Sequence, residues 1–134
     1  MLKAFAIHLY ARLSAMRYKM NPDCHFCKIV SGAASADIVH RDHLVTAFRD
    51  IHPVAPTHIL IVPNRHIGSV NELEPEDEPL VGHIFSVARD LARQEGVDAN
   101  GYRIINNTGA HGGQTIFHMH FHLIGGQRMR HPMG

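Results

Sequence analysis

Two spacings of apolar residues recur along the chain and predict its helices and strands. Apolar positions three to four residues apart predict helices, whereas alternation and short β-branched runs predict strands. A short helix is expected over 24–32, with Asp23 as N-cap and Gly32 at its end, and a long helix over 75–95. The expected strands are 38–41, 44–49, 58–62, 102–107 and 118–124. Strands dominate beside one main helix, which predicts the α+β class with a mostly antiparallel sheet.

The last expected strand carries three histidines that alternate with apolar residues. His118, His120 and His122 would share one face at intervals of about 6.6 Å, while the residues between them would point into a core. Buried imidazoles are costly unless each ring has a polar partner. Two kinds of chemistry use such a row: zinc coordination, or attack of one imidazole on phosphorus while its neighbours hold the phosphate. A solvated sheet face is the alternative without chemistry.

The segment just before this strand is rich in glycine. Residues 108–115, TGAHGGQT, place backbone N–H groups where they can form an anion-binding concavity. A plain hairpin loop would have a similar composition. Its position directly before the histidine row favours a phosphate-binding loop, and hence the phosphorus chemistry.

Composition limits the classes of function. A chain of 134 residues is one domain by length. Its net charge of +1 is too small to give the overall positive electrostatic potential that favours nucleic-acid binding. Thirteen histidines indicate metal or proton chemistry. The two cysteines do not form a disulfide framework, which suits a reducing cytoplasm.

Cys24 and Cys27 form a Cys-x-x-Cys motif within the first expected helix. Three residues apart, they lie on one helix face, so both sulfurs can reach one point. Zinc would need two further ligands, and histidine is abundant. A redox pair and two buried structural cysteines are the alternatives.

Residues 1–20 are expected to be an N-terminal extension to a domain over 21–134. The extension is basic and loosely amphipathic, lacks a clear cleavage site and is too short in its apolar part to span a bilayer. A flexible or packing arm, or an upstream start codon with Met16 or Met20 as the true beginning, is expected in preference to a membrane-surface helix.

Residues 112–124, GGQTIFHMHFHLI, resemble the defining pattern of the histidine triad (HIT) family, in which three histidines alternate with apolar residues. The following GGQRM resembles the Hint branch, the nucleoside phosphoramidases. FRDI at 48–51, PTH at 56–58 and IVPNRH at 61–66 extend the similarity over roughly residues 22–134. The resemblance implies a five-stranded antiparallel sheet with one long and one short helix, and a homodimer that joins two sheets into one of ten strands.

The resemblance also implies roles for individual residues. His120 would be the nucleophile, His122 would hold the phosphate and protonate the leaving amine, and His58 would orient the nucleophilic ring. His118 completes the catalytic set. The implied nucleotide-binding residues are Asp50 for the ribose, Phe26, Ile29, Phe48 and Ile51 for the base, and Asn107, Gln114 and Thr115 for the phosphate. The implied ligands of a structural zinc ion are Cys24, Cys27, His66 and His118, and no catalytic cofactor is implied.

The function implied is hydrolysis of purine nucleoside phosphoramidates, of the AMP–amine and AMP–lysine type, through a nucleotidyl-histidine intermediate. The alternatives are a dinucleoside polyphosphate or acyl-adenylate hydrolase, a non-catalytic nucleotide-binding adaptor, and a zinc hydrolase. One departure concerns the leaving group: His131-Pro132 stands where the Hint branch commonly has Trp-Pro. The implied partners are a purine nucleotide and a second copy of the chain, with neither nucleic acid nor a membrane.

Overall fold

Five antiparallel strands form one sheet in the computed structural model, which describes residues 20–133. The strands are β1 (Ile38–Arg41), β2 (Val45–Arg49), β3 (Thr57–Pro63), β4 (Tyr102–Asn106) and β5 (Phe121–Gly125). Their order is β1-β2-β3-β5-β4, so the last strand inserts between β3 and β4. This arrangement confirms the predicted α+β class and antiparallel sheet. Residues 1–19, which make up nearly all of the expected extension, lie outside the described residues.

Two helices cover opposite faces of this sheet. The short helix α1 (His25–Ser31) ends at Gly32, whose φ of 85° places it in the left-handed conformation that favours glycine. Its N-cap is Cys24 and not the predicted Asp23, because the Cys24 sulfur accepts the Cys27 N–H. The long helix α2 (Glu78–Gln94) follows a single 3₁₀ turn, so the helix predicted from residue 75 begins three residues later. No helix of residues 20–133 is long and apolar enough to cross a membrane.

The alternation along β2 and β3 divides the interior into two cores. Val45, Ala47, Ile59 and Ile61 face α2 and join the larger core. The residues between them face the other way, where Phe48, Leu60 and Val62 pack with Phe26 and Ile29 of α1. His58 precedes Leu60 by two positions on β3, so it lies on the α1 face of the sheet.

The strand predicted over 118–124 is wrong at its start, since β5 begins at Phe121. In the segment before it, the Met119 N–H donates to the Ile67 carbonyl at 2.6 Å, outside the ladders of the sheet. Only His122 of the three histidines lies on the strand. The three imidazoles still lie on the α1 side of the sheet, because Phe26 contacts the rings of both His118 and His120, and the rings of His120 and His122 are 5.1 Å apart between centroids.

Candidate active site

His120 is held by the main chain that precedes it. Its Nδ1 lies 2.7 Å from the His118 carbonyl oxygen, which can only accept a hydrogen bond, so Nδ1 carries the proton. The Nε2 atom then keeps its lone pair. The ring is nearly buried, and the edge-to-face contact with Phe26, at 5.2 Å between centroids, limits its rotation. The result is an oriented imidazole with a free nucleophilic nitrogen.

His58 and His122 form a directed pair beside it. The Val54 N–H donates to Nδ1 of His58 at 3.1 Å, so the proton of His58 is on Nε2. That proton points to Nδ1 of His122, 2.8 Å away, and the proton of His122 is therefore on Nε2. The rings of His122 and His120 are 5.1 Å apart between centroids. His58 was expected to orient His120, but in the structure it bonds to His122 and the His118 carbonyl orients His120.

Burial keeps this pair neutral. It lowers the pKa of His122 to about 4, with the imidazoles of His120 and His58 adding to the effect and Asp50 opposing it. Burial also lowers the pKa of His58, again against the attraction of Asp50. Neutral rings are what the directed hydrogen bonds require, because each Nδ1 must accept.

Asp50 lies at the open end of the pair. Its Oδ2 is 3.4 Å from Nε2 of His58, and its Oδ1 accepts the His52 N–H at 2.8 Å. The longer contact leaves Oδ2 able to accept hydrogen bonds from a ligand. Asp50, His58 and His122 thus form a polar chain, and the His122 ring at its end is the neighbour of the His120 ring.

The predicted base-binding residues are only partly brought together. Phe26, Ile29 and Phe48 are buried in one cluster, and the Phe26 and Phe48 rings meet edge to face at 5.3 Å. Ile51 lies on the loop after β2 and is 81% exposed, so it does not join them. The apolar cluster adjoins His120 through Phe26.

Gln114 organises the glycine-rich loop. Its Oε1 accepts the Gly109 N–H, and its Nε2 donates to the carbonyls of Gly68 and Ile116. These bonds use both amide hydrogens, so the structure places Gln114 as a positioning residue, whereas phosphate contact was expected. Of the other two expected phosphate ligands, Asn107 is half-buried and Thr115 is exposed.

Asn106, which the sequence did not single out, holds the main chain of His120. It is the last residue of β4, and its Nδ2 donates to the His120 carbonyl at 2.9 Å while Thr108 donates to its Oδ1. The pairing of β4 with β5 aligns Asn106 with Phe121, one residue after His120. Only that register reveals the contact, because no sequence motif marks a strand-end asparagine.

Cys24, Cys27, His66 and His118 meet between α1 and the sheet, as expected. The ligand atoms of all four lie within 4.8 Å of one another. Nδ1 of His118 is 3.4 Å from the Cys24 sulfur and 3.5 Å from the Cys27 sulfur, and Nδ1 of His66 is 3.3 Å from the Cys27 sulfur. Tetrahedral zinc, with Zn–S of about 2.3 Å and Zn–N of about 2.0–2.1 Å, separates S and N ligands by about 3.6 Å. The four residues therefore fit a metal ion.

The proton on His118 also suits ligation. Its Nε2–H donates to the Pro63 carbonyl at 2.9 Å, which leaves the Nδ1 lone pair facing the two sulfurs. Burial lowers the pKa of His118 to about 4 and raises the pKa of the Cys27 thiol. His118 is thus directed to the cysteines and not towards a substrate, while its carbonyl orients His120.

Comparison with known proteins gives a consistent result. The HIT domain model matches residues 31–129. The purine nucleoside phosphoramidase of Escherichia coli K12 is 52% identical over 109 residues, which are 81% of this chain and 88% of that protein. The HIT family hydrolase of Legionella pneumophila superposes with a TM-score of 0.81 at 44% identity, covering 84% of this chain and all of that one. The HIT family hydrolase of Clostridium thermocellum superposes with a TM-score of 0.82 at 38% identity, covering 85% of this chain and 99% of that one. The chain belongs to the HIT family.

Proposed function

We propose that this HIT-family enzyme hydrolyses purine nucleoside phosphoramidates, of the AMP–amine and AMP–lysine type, through a nucleotidyl-His120 intermediate. One observation carries the proposal: the His118 carbonyl fixes the proton of His120 on Nδ1, which frees Nε2 on a ring 5.1 Å from that of His122 between centroids. The phosphoramidase from Escherichia coli, at 52% identity, supports the substrate class.

The reaction has two halves. In the first, the His120 Nε2 lone pair attacks the α-phosphorus and the P–N bond breaks, while Nε2–H of the neutral His122 donates a hydrogen bond to the leaving nitrogen. That nitrogen takes its proton from a water molecule, which becomes hydroxide, and the amine leaves. In the second half, the hydroxide attacks phosphorus and the bond to the cationic His120 ring breaks. The nucleoside monophosphate leaves, and both rings have their starting protons.

The remaining residues would position the nucleotide. Asp50 has an oxygen available for the ribose hydroxyls, and the Phe26–Phe48 cluster offers an apolar wall for the base. Asn107 and Thr115 would contact the phosphate on the loop that Gln114 holds. Ile51, exposed in the structure, would be covered by the base.

The same proposal assigns a structural zinc ion to Cys24, Cys27, His66 and His118. Two thiolates and two imidazoles complete a tetrahedron and leave no open position, so the ion would supply stability and no chemistry at phosphorus. Two thiols this close and unbridged suit a reducing compartment, and we accordingly place the enzyme in the cytoplasm.

A substrate panel with purified protein tests the function. An adenosine phosphoramidate should be cleaved in preference to an acyl-adenylate and a dinucleoside polyphosphate. Rapid quenching and intact-mass measurement should detect one nucleotidyl group per chain. The His120→Gly variant should lose the adduct and about three orders of magnitude or more of turnover while still binding AMP. The exposed His25→Gln serves as the matched control.

Other results would select the alternatives. Tight AMP binding without turnover of any substrate would support the adaptor. Loss of chemistry on chelation from a chain that stays folded would support the zinc hydrolase. Substantial activity in His120→Gly, with activity lost in His122→Ala, would overturn the nucleophile assignment.

A further inference from the structure

A second group of metal-ligating side chains meets on the α2 side of the sheet, away from the catalytic histidines. His40 lies on β1, Asp42 in the β1–β2 turn and His83 on α2. Asp42 Oδ2 is 2.6 Å from Nε2 of His40 and 2.7 Å from Nε2 of His83. Residues far apart in sequence thus direct three ligand atoms to one point, all within 4.8 Å of one another.

The carboxylate of Asp42 is fixed before any ligand arrives. Its Oδ1 accepts the N–H groups of Leu44 and Val45 at 2.8 and 2.9 Å. Its own carbonyl accepts the Asn64 side chain at 2.9 Å, which ties the turn to the residue after β3. Burial would raise the pKa of Asp42, but the hydrogen bonds from the two histidines and the turn outweigh it and hold the pKa well below its usual range. Oδ2 is therefore an oriented, negatively charged oxygen.

Both imidazoles hydrogen-bond to this single oxygen atom. Each directs Nε2 at Oδ2, so two N–H donors compete for one acceptor atom. A divalent ion can take the place of these two hydrogen bonds if both imidazoles change to the Nδ1–H tautomer. The Nε2 lone pair of each ring is then available to the ion. Metal–ligand bonds of about 2.0–2.2 Å separate such N and O ligands by about 2.9–3.4 Å, which is about 0.2–0.8 Å more than the observed 2.6 and 2.7 Å.

The surroundings permit that adjustment. The side chains of His40 and His83 are 33% and 31% exposed, so both rings can shift and an ion can enter from solvent. Two imidazoles and one carboxylate are ligands that suit zinc, cobalt or nickel better than calcium or magnesium. The group contains no thiolate, which distinguishes it chemically from the cysteine cluster on the α1 face.

We propose that His40, Asp42 and His83 bind a second divalent transition-metal ion of the zinc class, with water completing its coordination. The ion cross-links α2 to the β1–β2 hairpin and adds stability to that edge of the sheet. The proposal is independent of the reaction, because these residues and the catalytic histidines occupy opposite faces of the sheet.

Metal titration of the full chain tests the site. Protein treated with a weak chelator, so that only tightly held metal remains, is titrated with Zn²⁺ and separately with Co²⁺. We expect one further equivalent per chain, a cobalt spectrum for that equivalent without thiolate charge-transfer absorption, and a higher melting temperature. Asp42→Asn keeps an Oδ1 acceptor for the turn but loses the anionic oxygen, and it should lose the added equivalent. His131→Gln, exposed and distant in sequence, should behave as wild type.

Equal uptake by wild type and Asp42→Asn, or no uptake by wild type beyond the tightly held metal, would overturn the site. If Asp42→Asn does not fold, His40→Gln and His83→Gln decide, because both positions are partly exposed. Retention of the added equivalent in those two variants would likewise reject the proposal.

Discussion

Main-chain groups place the protons of three histidines in this region, and the His58 side chain places that of His122. The His118 carbonyl puts the proton of His120 on Nδ1, the Val54 N–H puts that of His58 on Nε2, and the Pro63 carbonyl does the same for His118. Identical side chains thereby present different ring nitrogens, as the proposed roles of nucleophile, relay and metal ligand require. Hydrogen-bond partners set the tautomer, and the tautomer sets the chemistry.

The low pKa of His122 predicts a stability that falls with acid. The unfolded ring takes a proton near its ordinary pKa of 6.5, whereas the folded ring does so only near 4. The contribution is therefore fully present above pH 6.5 and is lost as the pH falls from 6.5 to 4, by an amount of the order of 3 kcal/mol. Urea unfolding at several pH values should show a smaller fall for His122→Asn. Parallel curves for the two proteins would contradict this prediction.

The available oxygen of Asp50 predicts selectivity for ribose. Asp50→Ala should weaken the binding of ribonucleotides by roughly 1.5–3 kcal/mol, because a charged acceptor for two hydroxyls is lost. Binding of 2′,3′-dideoxy analogues should change far less, and calorimetry on both classes measures the difference. An equal loss for the two classes would leave the ribose role without support.

At the scale of elements, the strand predicted over 118–124 is shorter in the structure, where β5 begins at Phe121. The three rings nevertheless stay on the α1 side of the sheet and bind different neighbours there. His118 is free to reach the cysteines of α1, and His122 pairs with Leu60 on the α1 face beside His58. One motif therefore contributes both to the cysteine cluster and to the candidate active site.

The cysteine cluster predicts that zinc holds α1 against the sheet. One tightly bound zinc per chain should survive treatment with a weak chelator, and a strong chelator should lower the melting temperature. Activity should persist for as long as the apo protein stays folded, because the closed site has no position for substrate. Cys24→Ala should lose this zinc, and His25→Gln, its neighbour on α1, should keep it. Wild-type zinc content in Cys24→Ala would reject the site.

At the scale of the whole molecule, the two faces of the sheet carry different clusters of side chains. The α1 face carries the catalytic groups and the cysteine cluster, whereas the α2 face carries the larger core and the His40–Asp42–His83 group. Each edge of the described sheet has one strand with a single neighbour, β1 and β4. Unpaired edge strands are sites for pairing with another chain.

The register of β1 is interrupted between Ile38 and His40, which leaves β4 as the regular open edge and predicts a homodimer in which two five-stranded sheets join through it. Light scattering should give twice the 15.0 kDa mass of the chain. Amide hydrogen exchange should be slower in β4 than in β1, which is the other edge strand and serves as the internal control. A monomeric mass, or equal exchange in the two strands, would contradict this pairing.

The sequence by itself determined the class of fold, the two helices, most strand positions and the identity of the triad. These follow from short-range periodicity and from a motif of fixed spacing, which need no knowledge of distant contacts. Tertiary structure alone decided that β5 starts at Phe121, that His58 bonds to His122, that Gln114 holds a loop, and that Asn106 supports His120. It also brought His83 to Asp42 across 41 positions. Such contacts depend on strand register and on the packing of helix against sheet, and local sequence patterns do not encode either one.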